Sequence, residues 1–416
     1  MIKPRHQSIQ AIYLFLTVLN TLATSMIWGI NTIFLLDAGL SNAQAFLANA
    51  FFTVGQVVFE IPTGIVADLK GRRLSYLLGT VTLAVSTLLY LFAWIAHAPF
   101  WAWAASSALL GFGYTFFSGA TEAWLVDALA FSGYKGELDS VFANAQSVSG
   151  IAMLAGSVAG GLIAQSTDLG VPYILRAILL LATFIVAFLF MKDWGFSPKK
   201  SVSLSKDTKA LFVNSFELGL RRPTIRWVML ATPFISGVGI YVFYAIQPHL
   251  LALYGDPSAY GIAGMGAAIV AGSQFLGGVF SPAIRRLFTH RTTGLLVGTV
   301  AGVAFLILLG ITDAFWLAIL FVSAWGLLSA ATRPMRQAYL NALIPSEQRA
   351  TLLSFDSLLG SVGGVVIQPA LGRATDLYSY ATSFLLSGAI QAVAIPFALL
   401  ARRQELRSAA QGSGKD

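Results

Sequence analysis

Apolar runs long enough to cross a bilayer, roughly 20 residues each, recur along the whole chain, and polar residues are concentrated in the short intervals between them. The runs cover residues 6–36, 38–59, 74–121, 140–167, 171–191, 227–255, 257–284, 292–311, 314–343, 351–372 and 377–401, with a few charges inside or at their ends. The third is twice the needed length and breaks at Ala96-His97-Ala98-Pro99. The pattern therefore predicts an all-α membrane protein with twelve transmembrane helices. No small-residue cleavage site stands out in the first run, so it is expected to stay as the first helix rather than be removed as a signal peptide.

The only long polar connection, residues 192–222, divides six helices from six. The expected organisation is an N-terminal six-helix bundle over 1–191, a cytoplasmic linker over 192–222, a C-terminal six-helix bundle over 223–403 and a cytoplasmic tail over 404–416. Within the linker, Phe212, Phe216 and Leu220 recur every four residues. That spacing fits an amphipathic helix lying on the membrane surface, with a plain flexible linker as the alternative. At an offset of 214 residues Gly64 falls on Gly278, Glu122 on Arg336, and Asp127-Ala128-Leu129 on Asn341-Ala342-Leu343. A duplicated membrane bundle is the sequence mark of a secondary transporter, in which two similar halves rock about a site near the midplane.

Composition narrows the classes further. Only 11% of the 416 residues are charged and 56% are hydrophobic, against roughly 25% charged in soluble domains, which excludes a water-soluble enzyme. The hydrophobicity excludes disorder, and the absence of Cys excludes a disulfide scaffold. The formal charge of +8 comes from 26 Lys and Arg. With both termini on the cytoplasmic side, 24 of these fall in cytoplasmic segments, leaving Arg176 and Arg373 for the other side. Basic residues spread over helix ends in this way do not form the clustered patch that nucleic acid needs.

The interval after the second helix reads Gly64-Ile-Val-Ala-Asp68-Leu-Lys-Gly71-Arg72-Arg73. Gly64 permits close helix contact, Gly71 permits a tight turn with positive φ, and Arg72 with Arg73 anchors the turn. Asp68 sits at a helix C-terminus, where the dipole disfavours an anion, so it needs a basic partner or a neighbouring helix N-terminus. This run resembles the loop signature of the major facilitator superfamily, except that Leu69 replaces the usual basic residue after the Asp. The resemblance implies two pseudo-symmetric six-helix bundles working by alternating access, with Asp68 paired near Thr351 at the start of helix eleven in the state closed to the cytoplasm. In the second half, Gly278-Val-Phe-Ser-Pro282-Ala-Ile-Arg285-Arg286 looks like a degraded copy. The run Gly156-Ser157-Val158-Ala159-Gly160-Gly161 is similar to the helix-five motif of the superfamily's drug–proton antiporters, but carries Ser157 in place of Pro. Those antiporters also tend to carry an Arg on helix four, and no basic residue lies between Leu74 and Lys135.

A charge in the hydrocarbon costs roughly 2.5–3.5 kcal/mol even on the lenient insertion scale, so each one needs a reason. Helix four offers Glu122 and Asp127, and helix ten offers Arg333 and Arg336. Gly111, Thr115, Ser118 and Glu122 form one helical stripe, and Ser329, Arg333, Gln337 and Asn341 form another. These opposed stripes suit a water-filled path to which Asn20, Thr24, Asn31, Tyr241, Tyr244 and Gln247 also contribute. Glu122 is expected to face Arg333 or Arg336 and to serve as the coupling proton site. Bland readings stand beside these. Asp127 suits an interface, Arg333 and Arg336 suit snorkelling, Glu60 suits a structural partner for the nearby loop, and Asp356 suits the first turns of helix eleven. Trp28, Trp94, Trp101, Trp103 and Trp316 fit interfacial belts.

His6, His97, His249 and His290 are isolated, so a metal site or His-based catalysis has little support, and the Gly-rich runs fit helix packing better than phosphate binding. No cofactor and no enzymatic chemistry are expected. The sequence points to a monomeric, multi-pass secondary transporter of the bacterial inner membrane, exporting small amphipathic compounds with proton coupling. Uptake of a metabolite or organic anion is the second reading, and a membrane sensor or enzyme without transport is the third.

Overall fold

The computed structural model describes residues 4–198, 223–344 and 348–412. Among the described residues there are fifteen helices and no strand. The first eight are α1 (His6–Trp28), α2 (Asn31–Asp37), α3 (Asn42–Lys70), α4 (Arg72–Ile95), α5 (Phe100–Thr115), α6 (Ala120–Ser132), α7 (Leu138–Ser166) and α8 (Val171–Phe190). They are followed by α9 (Pro223–Tyr254), α10 (Tyr260–Arg286), α11 (Arg291–Ile311), α12 (Phe315–Leu343), α13 (Arg349–Leu377), α14 (Tyr380–Ala392) and α15 (Ala394–Gly412). The amphipathic stretch expected around Phe212 and Phe216 lies outside the described residues.

Eleven segments are individually long and apolar enough to cross a membrane. The twelfth crossing is the pair α5/α6, whose helices are separately too short. Three crossings are thus broken rods: α1/α2 at Gly29, α5/α6 at residues 116–119 and α14/α15 at Val393. The break before α6 has a clear local cause. Gly119 sits at φ 65°, a left-handed conformation that a glycine adopts without a Cβ clash. Prolines inside α3, α9, α10, α12 and α13 leave those rods continuous, as membrane helices tolerate when neighbours satisfy the freed carbonyls.

The chain forms two compact units. The first holds Met1–Leu40, Leu47–Val202 and Asp256–Ala268, and the second holds Ser41–Phe46, Ser203–Gly255 and Ile269–Asp416. In the first unit α1 packs on α7 and α8, and α4 packs on α5 and α8. In the second α9 packs on α13 and α15, and α11 packs on α12 and α14. These are the same pairings six spans apart. The core of the first unit gathers Ile9, Leu16, Trp124, Leu125 and Met191, and that of the second Ile225, Met229, Leu340 and Leu352. Large apolar side chains such as Phe92, Ile151 and Trp316 are exposed, the surface a bilayer-embedded protein presents to lipid. Trp316 at 77% and Trp101 at 70% exposure suit an interfacial belt, whereas Trp103 is fully buried against Tyr90 and belongs to the core.

Glycines set the helix spacing within each unit. A Cβ on Gly160 of α7 would stand 1.8 Å from the Met26 carbonyl oxygen of α1, and one on Gly363 of α13 would stand 2.0 Å from the Pro233 oxygen of α9. The small-residue runs read from the sequence are therefore packing surfaces.

Candidate functional site

The α3–α4 turn is the best-formed feature of the first unit. Gly71 holds φ 106°, and any Cβ there would lie 2.4 Å from the Asp193 carboxylate. Asp68, in the last turn of α3, pairs with Arg72 at 2.6 Å, the basic partner its position at a helix C-terminus demands. The expected partner near Thr351 involves a side chain outside the described ones. Arg73 donates from its backbone N–H to Asp193 Oδ1 at 2.8 Å and from Nη2 to the Phe188 carbonyl at 2.6 Å, its guanidinium lying over the Phe188 ring. Asp193 thus supplies an anion to the open N–H groups at the start of α4. The residues just after α8, where the expected linker begins, are docked on the first unit, with Trp124 Nε1 donating to the Lys192 carbonyl at 2.7 Å.

Gly64 does not make the close contact expected of it. A Cβ at Gly64 would meet nothing within 4 Å, and the same holds for Gly278 of the second half.

The stripe on the fourth crossing is interrupted. Thr115 ends α5, buried, with its hydroxyl on the Phe112 carbonyl at 2.7 Å. Ser118 is exposed beyond the break and donates to Glu60 Oε1 on α3. Glu60 therefore partners the fourth crossing rather than the α3–α4 turn. Glu122 is exposed in the first turn of α6, where the helix dipole favours an anion. Its charge there needs no buried counter-charge. Asp127, further along α6, is half-buried.

Arg336 of α12 also has a different partner from the one expected. Its Nη1 donates to Asp356 Oδ2 at 2.7 Å, and its Nη2 reaches both Asp356 Oδ1 and the Thr232 hydroxyl. Thr232 donates in turn to Asp356 Oδ1 at 2.9 Å. The three residues, from α12, α13 and α9, close a charge-neutral cluster inside the second unit. Asp356 is the eighth residue of α13 and only 7% exposed. Its reason is this bidentate pair rather than the helix N-terminus proposed from the sequence. Arg333 and Gln337 are exposed on α12.

The remaining candidates split by burial. Thr24 donates to the Asn20 carbonyl at 2.8 Å and accepts from the Tyr114 hydroxyl at 3.0 Å. Asn31, in α2 beyond the break at Gly29, is buried and donates to Asn49 Oδ1 at 3.0 Å. Tyr241 is buried with its hydroxyl shared between Thr375 and Ser383, and Gln247 is fully buried on the same helix. Asn31, Tyr241, Gln247 and Thr115 are thus parts of the bundle cores. Asn20 and Tyr244 are half-buried, and Ser118 and Gln337 are exposed.

Sequence reasoning missed two carboxylates that do equivalent work. In the second unit Glu405 of α15 accepts from the Thr292 backbone N–H at 3.2 Å and from its hydroxyl, at the start of α11, with His290 Nδ1 at 4.0 Å. Asp193 binds the first turn of the third crossing, and Glu405 that of the ninth. The segment from 404, expected as a tail, is the continuation of α15.

These features place the chain among twelve-crossing transporters built from a repeated six-helix unit. The sequence profile of the Major Facilitator Superfamily matches residues 13–321 and 234–415, and the chain belongs to that superfamily. It is 25% identical over 240 residues to an uncharacterised MFS-type transporter of Methanocaldococcus jannaschii, the match covering 55% of this chain and 57% of that protein's length. Its fold is similar to the crystal structure of the nucleoside transporter NupG, with a TM-score of 0.78 at 14% identity over 94% of this chain and 98% of that one. It is also similar to an inward-facing bacterial homologue of the human lysosomal transporter Spinster, with a TM-score of 0.72 at 18% identity over 98% and 99%. A third likeness is to the POT family transporter PepTSo, with a TM-score of 0.73 at 14% identity over 97% and 99%. The chain is a multi-pass membrane protein of that superfamily.

Proposed function

We propose that this chain is a monomeric, proton-coupled exporter of small amphipathic compounds, working by alternating access in a bacterial inner membrane with both termini cytoplasmic. The observation that carries the reading is the pair of exposed carboxylates of the first unit. Glu60 and Glu122 stand on membrane-crossing helices, and Ser118, just before the Gly119 turn that opens the helix of Glu122, bonds Glu60. Among the described residues neither has a basic partner. Exposed carboxylates on membrane-crossing helices belong against a water-filled path rather than lipid, where a proton or a cationic substrate can reach them. In the second unit Arg336 is neutralised by Asp356, which leaves the carboxylates to set the chemistry. The second reading, uptake of an organic anion, rests on the exposed Arg333.

Proteoliposomes challenged with amphipathic cations, neutral compounds and organic anions, with and without a pH gradient, separate the two. Export predicts gradient-driven movement of amphipathic compounds. Glu122→Gln should then lower the driven flux by about tenfold, equivalent to about 1.4 kcal/mol, while passive exchange persists. Gradient-independent accumulation of organic anions, lost in Arg333→Gln and untouched in Glu122→Gln, would replace the export reading with the second one.

A further inference from the structure

Arg176 is an arginine in the sixth position of α8, a helix that packs against α1 and α4 in the first unit. From the sequence it counts as one of two basic residues on the external side. In the structure it lies inside the crossing and is only 1% exposed. Its Nε and Nη2 are buried and make no hydrogen bond, and among the described residues no carboxylate lies within ion-pair distance of it. The carboxylates flanking this part of the unit are engaged elsewhere. Asp37 accepts from Trp94 Nε1 at 2.8 Å, and Asp168 accepts from the backbone of Gly170 at 2.7 Å and Val171 at 3.1 Å. An arginine keeps its charge across the working pH range, and a buried charge without a partner is among the least tolerable arrangements in a folded protein.

The surroundings have the same excess of donors. Tyr173, one turn before Arg176 on α8, donates its hydroxyl to Asn31 Oδ1 at 3.3 Å. Asn31 donates to Asn49 Oδ1, and the Asn49 amide nitrogen is buried with no acceptor. Tyr90 stacks on Tyr173 and packs edge-on to Trp103, and its hydroxyl is taken by Ser107. The neighbourhood of Tyr173 therefore combines packed aromatic rings with the unpaired N–H groups of one buried guanidinium and one amide. What it lacks is an acceptor with a negative charge.

We propose that Arg176 binds a small monovalent anion, a halide or a compact carboxylate, inside the first unit. The burial of Arg176 excludes large anions, and the single positive charge matches a single negative one. The bound anion completes the charge balance of α8 against α4. This site is distinct from the carboxylate path assigned to transport and does not depend on that reading.

The test uses the full-length protein in detergent, at constant ionic strength, in potassium chloride, formate, acetate or gluconate, the last being too bulky for a buried site. The wild type should melt several degrees higher in chloride or in the small carboxylates than in gluconate, because a ligand that binds only the folded state raises its stability. A rise in chloride alone identifies a halide, and a rise in formate and acetate as well identifies a carboxylate group. Arg176→Met should melt in gluconate at or above the wild type, since it removes an unpaired buried charge, and should show no anion-specific rise. Arg176→Lys should keep a reduced rise. Bromide provides a second readout, as saturable quenching of the buried Trp103 fluorescence in the wild type that is lost in both the Trp103→Phe and Arg176→Met proteins. Equal melting of the wild type in all four salts, or an undiminished anion effect in Arg176→Met, overturns the proposal. Should Arg176→Met fail to fold, the wild-type salt comparison and the bromide quenching decide it.

Discussion

The buried charge of Arg336 in the second unit is compensated by Asp356, which meets it with both oxygens, and Thr232 occupies a further donor. Breaking such a pair leaves one ion stranded, whereas replacing both ions with apolar side chains removes the desolvation penalty along with the attraction. Asp356→Ala should therefore destabilise the protein by about 3–5 kcal/mol. The double variant Arg336→Met with Asp356→Leu should melt well above that single variant, and thermal unfolding in detergent reads the difference. A double variant no more stable than the single would mean that the cluster holds the helices by shape and not by charge. The sequence shows these charges but not their pairing. For Asp68 the need for a basic partner was legible, but not that Arg72, four residues away, supplies it. Arg336 and Asp356 come from different helices with two hydrophobic crossings' worth of equivalent alternatives, and only the packed bundle selects among them. Asp193 was missed for the same reason, since Arg73, whose N–H it accepts from, is 120 residues away.

Hydropathy reveals an element's existence more readily than its interruptions. The stretch from Phe100 to Ser132 stays apolar through Phe116 and Phe117, so its reading as one rod with a continuous stripe was natural, yet Gly119 turns left-handed and resets the helical phase before Glu122. The turn at residues 96–99 was legible because Pro99 and a short polar interval mark it, and α4 ends at Ile95. Glycines divide in a way that spacing alone does not show. Gly160 has the Met26 carbonyl where its Cβ would be, whereas Gly64 faces open space. Gly160→Leu should cost about 1–3 kcal/mol or more through overpacking. Gly64→Ala should leave the melting temperature unchanged or slightly raised, alanine being the better helix former by about 1 kcal/mol. Comparing stability with transport in these two variants is informative. Loss of transport in Gly64→Ala at full stability would place the close approach of Gly64 in another state of the cycle, and loss of stability there would contradict the open space beside it.

At the scale of the molecule, two units repeat one packing scheme, and the repeat is clearer in three dimensions than along the chain. The offset of 214 aligns Gly64 with Gly278 but misses the equivalence of Asp193 and Glu405. Their separations from the helix starts they bind are 120 and 113 residues, and the seven-residue slip, about two helical turns, shifts the alignment. Twelve crossings depend on the fourth. α5 has 16 residues, a length of about 24 Å at 1.5 Å per residue, short of the roughly 30 Å hydrocarbon core. With the 13 residues of α6 beyond the Gly119 turn, the pair is long enough to cross. If α5/α6 crosses as one broken rod, the intervals before and after it lie on opposite faces, with Lys135 on the side of the basic residues and the uncharged turn at Ala96 on the other. The chain has no Cys, so Ala96→Cys and Lys135→Cys can be labelled without background. In intact cells an impermeant maleimide should modify the cysteine at 96, and the one at 135 should react only after the membrane is opened. Labelling of both positions from one face would mean that α5/α6 re-enters rather than crosses, and the orientation of every crossing after it would have to be reversed.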